Sequence, residues 1–385
     1  MNVVIRTTVL LCMLSLNMGQ AFVTAQEGTN PGFNFDGINA FWEIVAVLEA
    51  DMEPTEDQWS SFFAAPGYSR LAEEFGRTYF MKALRAVFLS SGTNLAEEMT
   101  NEYSERGGFL ASYTPFVLDG FREAASDREW QRLRVQELMT FPYLENAAQY
   151  ALQYLPEESV SEYRAVNFVV FNDSRGYTPL IMGITGDDTP PPDQLECFVR
   201  NGDDRHLPFM LLMAHESFHM YRGLVEEISF PEENHPDYPV VWTLDQMVNE
   251  GIGDLINRKP LYFGNGCLAG TVRGQRLREE QRAQPATIRI VDRIFSELAA
   301  DSDLTPALGR QFQSFIPQSG HPTGFFMANL IEEELGAGEI LKVVRNPFDF
   351  FRSYNRAAIQ NGTAPVLSSE ALGYLESLEA KYAKR

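Results

Sequence analysis

The chain has 385 residues, a length typical of two or three domains or of one large domain with accessory helices. Apolar residues make up 44% of the sequence, which is enough for a sizeable core and argues against a disordered chain. The net charge of −22 argues against binding to nucleic acid or to an anionic membrane surface, because both attract clustered Lys and Arg.

The segment 1–25 has the pattern of a secretory signal peptide. Arg6 precedes an apolar run at 9–18, and Val23-Thr24-Ala25 offers small residues before a cleavage point. The run is too short to be a convincing membrane span, and no later segment approaches about 20 consecutive apolar residues. We therefore expect a secreted or periplasmic protein with no transmembrane segment in the mature chain. The alternative for 1–25 is a buried N-terminal helix.

Helical periodicity dominates the chain from residue 34 to about residue 155. Phe41, Ile44, Val45 and Leu48 recur at the three- and four-residue spacing of a helix face. Pro54-Thr55-Glu56-Asp57 has the composition of a helix start. We expect an N-terminal helical region over 26–160.

The composition changes after Pro156, where Val, Ile and Phe become frequent in short runs. These runs predict three strands, at 164–171, 179–184 and 195–200. An apolar helix follows at about 207–221, and an acidic, Pro-bearing loop at 226–239 separates it from a helix at about 242–256. The remainder, 261–385, is again helical. The predicted class is α+β, predominantly helical, with a small β-sheet before the helix at 207–221.

The motif that carries chemistry lies on that helix. Residues 215–219 read HESFH, an HExxH motif. Residues four apart share one face of a helix, so His215 and His219 can reach one metal ion, and Glu216 is placed to take a proton from a water beside it. The alternative is a buried helix with two hydrogen-bonded histidines.

A catalytic zinc site usually has three protein ligands. Another common HExxH arrangement needs a glycine three residues and a histidine six residues after the second motif histidine. Here Arg222 and Val225 occupy those positions. Glu250, on the following predicted helix, fits as the third ligand, with an ordinary solvated glutamate as the alternative. Asp254, one turn on, could accept a hydrogen bond from the outer N–H of a ligand histidine and so fix the ring.

HESFH followed by NEGIGD resembles the gluzincin zinc metallopeptidases, whose thermolysin-like members pair HExxH with an NExxxD helix. The resemblance implies a gluzincin-like core over 161–260, one Zn²⁺ held by His215, His219 and Glu250, Glu216 as general base and Asp254 behind the ligands. Asn249 matches the residue before the third ligand. The interval from His219 to Glu250 is longer than in thermolysin-like enzymes because the loop at 226–239 is inserted.

The whole chain also resembles an uncharacterised bacterial family assigned as zinc-dependent peptidases. The shared features are HESxH and two later motifs, Pro322–Met327 and Asn346–Phe351. This resemblance brings no known substrate.

Peptide hydrolysis needs a group that stabilises the oxyanion, and gluzincins use a His or Tyr from a later segment. His321, in a Gly-flanked turn before an apolar helix at 325–335, is the first candidate, and a plain surface histidine is the alternative reading. Other candidates are Tyr221, Tyr238 and Tyr262. His235, in the loop, and His206, at the start of the motif helix, are expected to be structural or solvated.

After removal of the signal peptide two cysteines remain, Cys197 and Cys267. In an exported protein they could form one disulfide, and two buried free thiols are the alternative.

The sequence thus predicts a secreted zinc-dependent peptidase acting on peptides or proteins. Two other functions stay open: a catalytically inactive, zinc-stabilised binding or scaffold protein, and an HExxH hydrolase of a non-peptide amide or ester. The sequence does not determine the oligomeric state.

Overall fold

The computed structural model describes the following residues: 33–106, 109–126, 128–156, 167–170, 181–183, 197–198, 206–316 and 320–384. This part of the chain is predominantly helical, as the periodicity predicts. The predicted signal peptide, 1–25, lies outside it. Among the described helices, none combines the length and the apolar character that crossing a membrane requires.

The chain divides into two compact units. Unit 1 comprises Met1–Tyr143 and Arg164–Pro190, and unit 2 comprises Leu144–Tyr163 and Pro191–Arg385. The predicted segment 161–260 is therefore shared between the units, and its larger part joins 261–385 in unit 2.

Unit 1 is built from helices and a short parallel sheet. Its helices are α1 (Asp36–Glu49), α2 (Glu56–Ala64), α3 (Pro66–Phe75), α4 (Arg77–Phe88), α5 (Gly92–Arg106), α6 (Phe109–Ser126) and α7 (Arg128–Thr140). Helix α2 begins at the predicted place, where Thr55 and Gln58 form a reciprocal capping box. The aromatic core of unit 1 includes Phe62 and Tyr68, whose ring centroids lie 4.0 Å apart.

The sheet of unit 1 has the order β1 (Phe33–Asn34), β2 (Asn167–Val170), β3 (Ile181–Gly183), with Phe168 opposite Ile181. Strands β2 and β3 fall within the predicted strands 164–171 and 179–184. The sheet belongs to unit 1. We had predicted it in the same core as the helix that carries the HExxH motif, but that helix lies in unit 2. In the predicted strand 195–200 only Cys197 and Phe198 are described, and both are helical.

The described part of unit 2 is mostly helical, with one isolated antiparallel bridge between Ile228 and Ala383. It holds all but the first residue of α8 (Tyr143–Ala151), followed by α9 (Leu207–Val225), α10 (Tyr238–Ile256), α11 (Arg258–Tyr262), α12 (Val272–Ala300), α13 (Thr305–Phe315), α14 (His321–Leu335), α15 (Ala337–Val343), α16 (Pro347–Asn361) and α17 (Ser369–Tyr382). Helix α10 is central and packs against α9, α13 and α14.

Helices α10 and α14 cross at a contact between two glycines. A Cβ atom on Gly324 would lie 1.9 Å from the carbonyl oxygen of Met247, and one on Gly251 would lie 2.3 Å from the carbonyl carbon of Gly324. Neither position has room for a side chain, so the two helices approach more closely than larger residues would allow. The crossing brings the first turn of α14 beside the middle of α10.

A buried ion pair fixes α9 against α10. Arg222, one turn after the HExxH motif, is 2% exposed and donates hydrogen bonds to the Asp245 carboxylate and, at 2.9 Å, to the carbonyl oxygen of Val344. Asp245 lies on α10, five residues before Glu250. A charge this deeply buried is tolerated only when it is paired, so the pair sets how the two helices align.

The loop between α9 and α10 is held by the C-terminal end of the chain. The Ser229 N–H donates to the Tyr382 carbonyl oxygen at 2.7 Å, and the Lys384 N–H donates to the Glu227 carbonyl oxygen at 3.1 Å. The Tyr382 hydroxyl donates to the buried Asp237 carboxylate at 2.7 Å. The acidic loop is therefore anchored at both ends, and the start of α10 is fixed with it.

Cys197 and Cys267 form a disulfide in unit 2, with their Cα atoms 5.7 Å apart. The bridge joins residues 70 positions apart in the sequence and connects the segment before α9 to the segment after α11. Closing a loop of this size restricts the unfolded chain and so favours the folded unit.

Candidate metal centre

The two histidines of the motif lie on one face of α9. Both side chains are largely buried, with 4% of His215 and 13% of His219 exposed. Their ring centroids are 4.5 Å apart and the rings are perpendicular. The four-residue spacing on a helix produces this arrangement, as the sequence predicts.

Glu250 extends from the middle of α10 to meet both rings. Its Oε2 atom lies 3.2 Å from His215 Nε2 and 3.3 Å from His219 Nε2. The helix crossing and the Arg222–Asp245 pair place it there, although the acidic loop separates Glu250 from His219 in the sequence.

His321 reaches the same carboxylate from the other side. Its Nε2 atom lies 3.2 Å from Glu250 Oε2, and its ring centroid is 5.6 Å from that of His215. It is the first residue of α14, after Gly320 in a left-handed conformation, rather than part of a turn before the helix as we had expected. A Cβ atom on Gly320 would lie 2.9 Å from the Met247 backbone, so this close approach favours glycine.

A second layer of polar groups holds the outer nitrogens of two rings. His321 Nδ1 lies 3.1 Å from both oxygens of Asp254, and Arg258 donates to the same carboxylate at 3.0 Å. His215 Nδ1 lies 3.2 Å from Asn257 Oδ1 but 3.6 Å from Asp254. Asp254, which we predicted behind a ligand histidine, thus bonds most directly to His321.

Asn257 and Arg258 were not singled out from the sequence. Glu250, Asp254 and Asn257 are spaced i, i+4, i+7 and therefore share one helix face. Extending the NExxxD pattern by one turn would have found Asn257. We refer to His215, His219, Glu250, Asp254 and His321 as the histidine–carboxylate cluster.

The outer nitrogens of two rings face hydrogen-bond acceptors. His215 Nδ1 faces an amide oxygen and His321 Nδ1 faces a carboxylate, so each Nδ1 is placed to donate a hydrogen bond. With Nδ1 as the donor, the Nε2 atom of the same ring, which faces Glu250, is the atom that could bind a cation. His219 Nδ1 is buried and makes no hydrogen bond of ordinary geometry with the described residues.

The donor set and its spacing fit a zinc ion. Zinc takes imidazole nitrogen and carboxylate oxygen at about 2.0–2.1 Å in a tetrahedron, whose ligand atoms are then about 3.3–3.4 Å apart. The three distances from Glu250 Oε2 to the ring nitrogens are 3.2, 3.3 and 3.2 Å. The donor types and these three distances from one Glu250 oxygen therefore fit the ion that the motif implies.

The charges of the cluster shift the pKa values of its members. Burial would raise the pKa of Glu250, but His321 and His219 beside it hold that pKa well below its usual range. Burial lowers the pKa of His215. Burial also opposes a proton on His219, yet the Glu250 carboxylate outweighs it and raises the pKa of His219 to about 9. Glu250 is thus anionic, and a metal would replace the proton of His219.

The proposed general base, Glu216, is next to the two motif histidines and 5% exposed. The ligand-type atoms of His215, Glu216 and His219 all lie within 4.8 Å of one another. Asn249 lies near His219, and its side chain helps to raise the pKa of that ring.

The other two histidines lie outside the cluster. His206 precedes α9, more than two helical turns before His215. His235 is in the loop with 47% of its side chain exposed, and it accepts a hydrogen bond from the Asp237 N–H at 3.1 Å. The structural or solvated roles expected for them stay predictions.

Gly253→Ala is expected to weaken zinc binding about 10-fold. A Cβ atom at this position would lie 2.7–2.9 Å from three atoms of the His215 ring, so the ring must move away from the other donors. Changes that disturb the orientation of a ligand typically cost about 10–100-fold in metal affinity. Competition with a zinc-binding dye would measure the affinity.

Gly373→Ala, on α17, is the matched control because nothing lies within 4 Å of the added Cβ atom. It should leave zinc affinity unchanged and raise helix stability by about 0.5–1 kcal/mol. Equal zinc affinities for the two variants would show that His215 does not need its observed position to bind the ion.

Comparison with known proteins gives one family match. Residues 59–363 match the model of a family described as "Putative zinc dependent peptidase (DUF5700)". The matched range spans most of the chain and includes every member of the histidine–carboxylate cluster. No curated protein and no solved structure is similar enough to match.

Proposed function

We propose that this chain, which belongs to the DUF5700 family, is a zinc-dependent peptidase that hydrolyses peptides or proteins. The observation that carries the proposal is the convergence of His215, His219 and Glu250, with Glu216 beside them. These residue types in this arrangement are the donors and the base that metal-assisted hydrolysis needs.

His215, His219 and Glu250 would hold one Zn²⁺. A bound zinc ion makes water more acidic and polarises a carbonyl group. By accepting from Nδ1, the Asn257 amide oxygen would leave Nε2 of His215 to bind the ion, and Arg222 with Asp245 keeps α9 and α10 aligned. The chain thus contributes a preformed set of donors whose orientation is fixed before the ion arrives.

Glu216 would act as the general base. It accepts a proton from the attacking water and can later deliver it to the leaving amine, which regenerates the carboxylate. Its position next to both motif histidines supports this role. A site with only a structural task would have no use for this carboxylate, so its presence also favours hydrolysis over a scaffold function.

The proposal also includes export of the protein and a gluzincin-like arrangement of its two metal-binding helices. The pattern of residues 1–25 supports a signal peptide, and hence a secreted or periplasmic enzyme. The disulfide between Cys197 and Cys267 is compatible with an oxidising compartment. The pairing of the motif helix with the Glu250 helix supports a gluzincin-like arrangement of α9 and α10 within unit 2.

Digestion of an unbiased peptide library tests the proposed activity. The mature protein is incubated with the library after loading with zinc, after removal of zinc by a chelator, and after zinc is restored. We expect cleavage in the first and third samples and none in the second. Cleavage that survives chelation, or no cleavage by fully loaded protein, would contradict the proposal; the latter result would favour a non-peptide substrate or a scaffold function.

A further inference from the structure

His321 lies as close to the Glu250 carboxylate as the two motif histidines do. Its Nε2 atom is 3.2 Å from Glu250 Oε2, the same distance as His215 Nε2, and His219 Nε2 lies 3.3 Å from that oxygen. One carboxylate oxygen thus has three imidazole nitrogens around it at nearly equal distances. The motif alone explains two of them.

The hydrogen-bond partner of His321 Nδ1 is also of the kind that metal-ligating histidines have. Its Nδ1 atom faces both oxygens of Asp254 at 3.1 Å, and Arg258 holds that carboxylate from behind at 3.0 Å. A metal-ligating histidine commonly donates its second N–H to a carboxylate, which fixes the tautomer and makes the ring more basic. Asp254 is 1% exposed, so this partner is not shared with solvent.

The backbone around His321 is held firmly, so its position is not that of a loose loop. Gln281 on α12 donates to the Pro322 carbonyl oxygen at 2.8 Å, and the buried Thr323 hydroxyl donates to Gln284 at 2.9 Å. Gly324 lies against the Met247 carbonyl oxygen at the helix crossing. These contacts at three successive positions fix the first turn of α14 against α10 and α12.

We propose that His321 is a fourth protein ligand, so that zinc is bound by His215, His219, Glu250 and His321. The inference rests on the proposed function because it assumes that the cluster binds zinc. It replaces the expectation that His321 stabilises the oxyanion. A ring that stabilises an oxyanion directs Nε2 at the substrate, whereas a ligand directs Nε2 at the ion, and Nε2 of His321 faces the same Glu250 oxygen as the two motif histidines.

A four-ligand set has a consequence for catalysis. Four protein ligands would occupy all positions of a tetrahedral zinc ion, whereas catalytic zinc usually keeps one position open for water. Water would then have to bind as a fifth ligand, which catalytic zinc sites can accept, or take the position of a protein ligand. In the second case, displacement of His321 would control access of water to the ion.

X-ray absorption at the zinc edge, which counts the imidazoles around the ion, tests the inference on the full mature protein. We expect three imidazoles for the wild type and two for His321→Gln. The matched control is His235→Gln, an exposed loop position, which should keep three. Zinc affinity, measured by competition with a chelator, should fall at least about 100-fold for His321→Gln. Even mutation of a residue that only hydrogen-bonds to a ligand typically lowers metal affinity by about 10–100-fold.

Two results would overturn the inference, and they differ in what else they affect. Wild-type protein that binds zinc through two imidazoles, with unchanged affinity in His321→Gln, would return His321 to the oxyanion role and leave the proposed function intact. Wild-type protein that binds no zinc would overturn the proposed function as well. Circular dichroism of the variant, expected to match the wild type, excludes misfolding as the cause of lost affinity.

Discussion

Glu216→Gln is expected to lower kcat for peptide cleavage by about 10²–10⁴-fold, the usual contribution of a general base. Glutamine has nearly the same shape as glutamate but cannot accept the proton of the attacking water. The zinc content should remain that of the wild type, because His215, His219 and Glu250 are untouched. Single-turnover cleavage of a peptide found in the library digest measures the loss directly.

Glu232→Gln is the matched control for this variant. Glu232 is exposed in the loop between α9 and α10, so the same chemical change there should leave kcat and zinc content unchanged. If Glu216→Gln cleaves peptide as fast as the wild type, Glu216 is not the base. If it loses zinc as well as activity, the carboxylate supports the metal and the loss of activity cannot be assigned to proton transfer.

His219→Ala is expected to reduce zinc affinity by at least about 100-fold, since mutation of a residue that only hydrogen-bonds to a ligand already lowers metal affinity by about 10–100-fold. The stability that zinc confers should disappear with it. Zinc at a concentration of about 100 Kd stabilises a folded protein by about 2.7 kcal/mol. For a domain of about 150–250 residues this corresponds to roughly 5–10 °C in Tm.

Melting curves with zinc and with a chelator measure this linkage. The wild type should melt at a higher temperature with zinc, whereas His219→Ala should melt at the same temperature in both. His235→Ala, which removes a histidine from the exposed loop, should keep the full zinc-dependent shift. A zinc-dependent shift of equal size in His219→Ala would show that the ion stabilises the protein from another site.

Local periodicity explains why part of the site could be read from the sequence. The HExxH spacing places His215 and His219 on one face of any helix, and the apolar flanks predict that helix. The spacing of Glu250 and Asp254 predicts a second face in the same way. Both helices are present, and the structure brings both faces together.

The rest depends on contacts between distant segments. The position of His321 follows from the crossing of α10 and α14 at Gly251 and Gly324, which no local pattern reveals. The nearest partner of His215 Nδ1 is Asn257, at 3.2 Å, rather than Asp254, at 3.6 Å, although both acceptors lie at the end of one helix. Sequence spacing cannot resolve a difference this small.

The strands show a further limit of sequence reasoning. Val- and Phe-rich runs predict extended segments, but they do not indicate which helices those segments accompany. We assigned them to the motif helix because they precede it in the sequence, whereas β2 pairs with β1 at the start of unit 1 and packs against α1 and α3. Pairing between strands that lie so far apart in the sequence is a property of the whole unit.

Anomalous diffraction at the zinc absorption edge, from crystals of the zinc-loaded protein, tests the central claim most directly. The account predicts one anomalous peak per chain, within bonding distance of the Nε2 atoms of His215 and His219 and of a Glu250 carboxylate oxygen. A zinc-loaded crystal with no peak at these three side chains, or with its peak elsewhere on the chain, would contradict the assignment of this cluster as the metal centre.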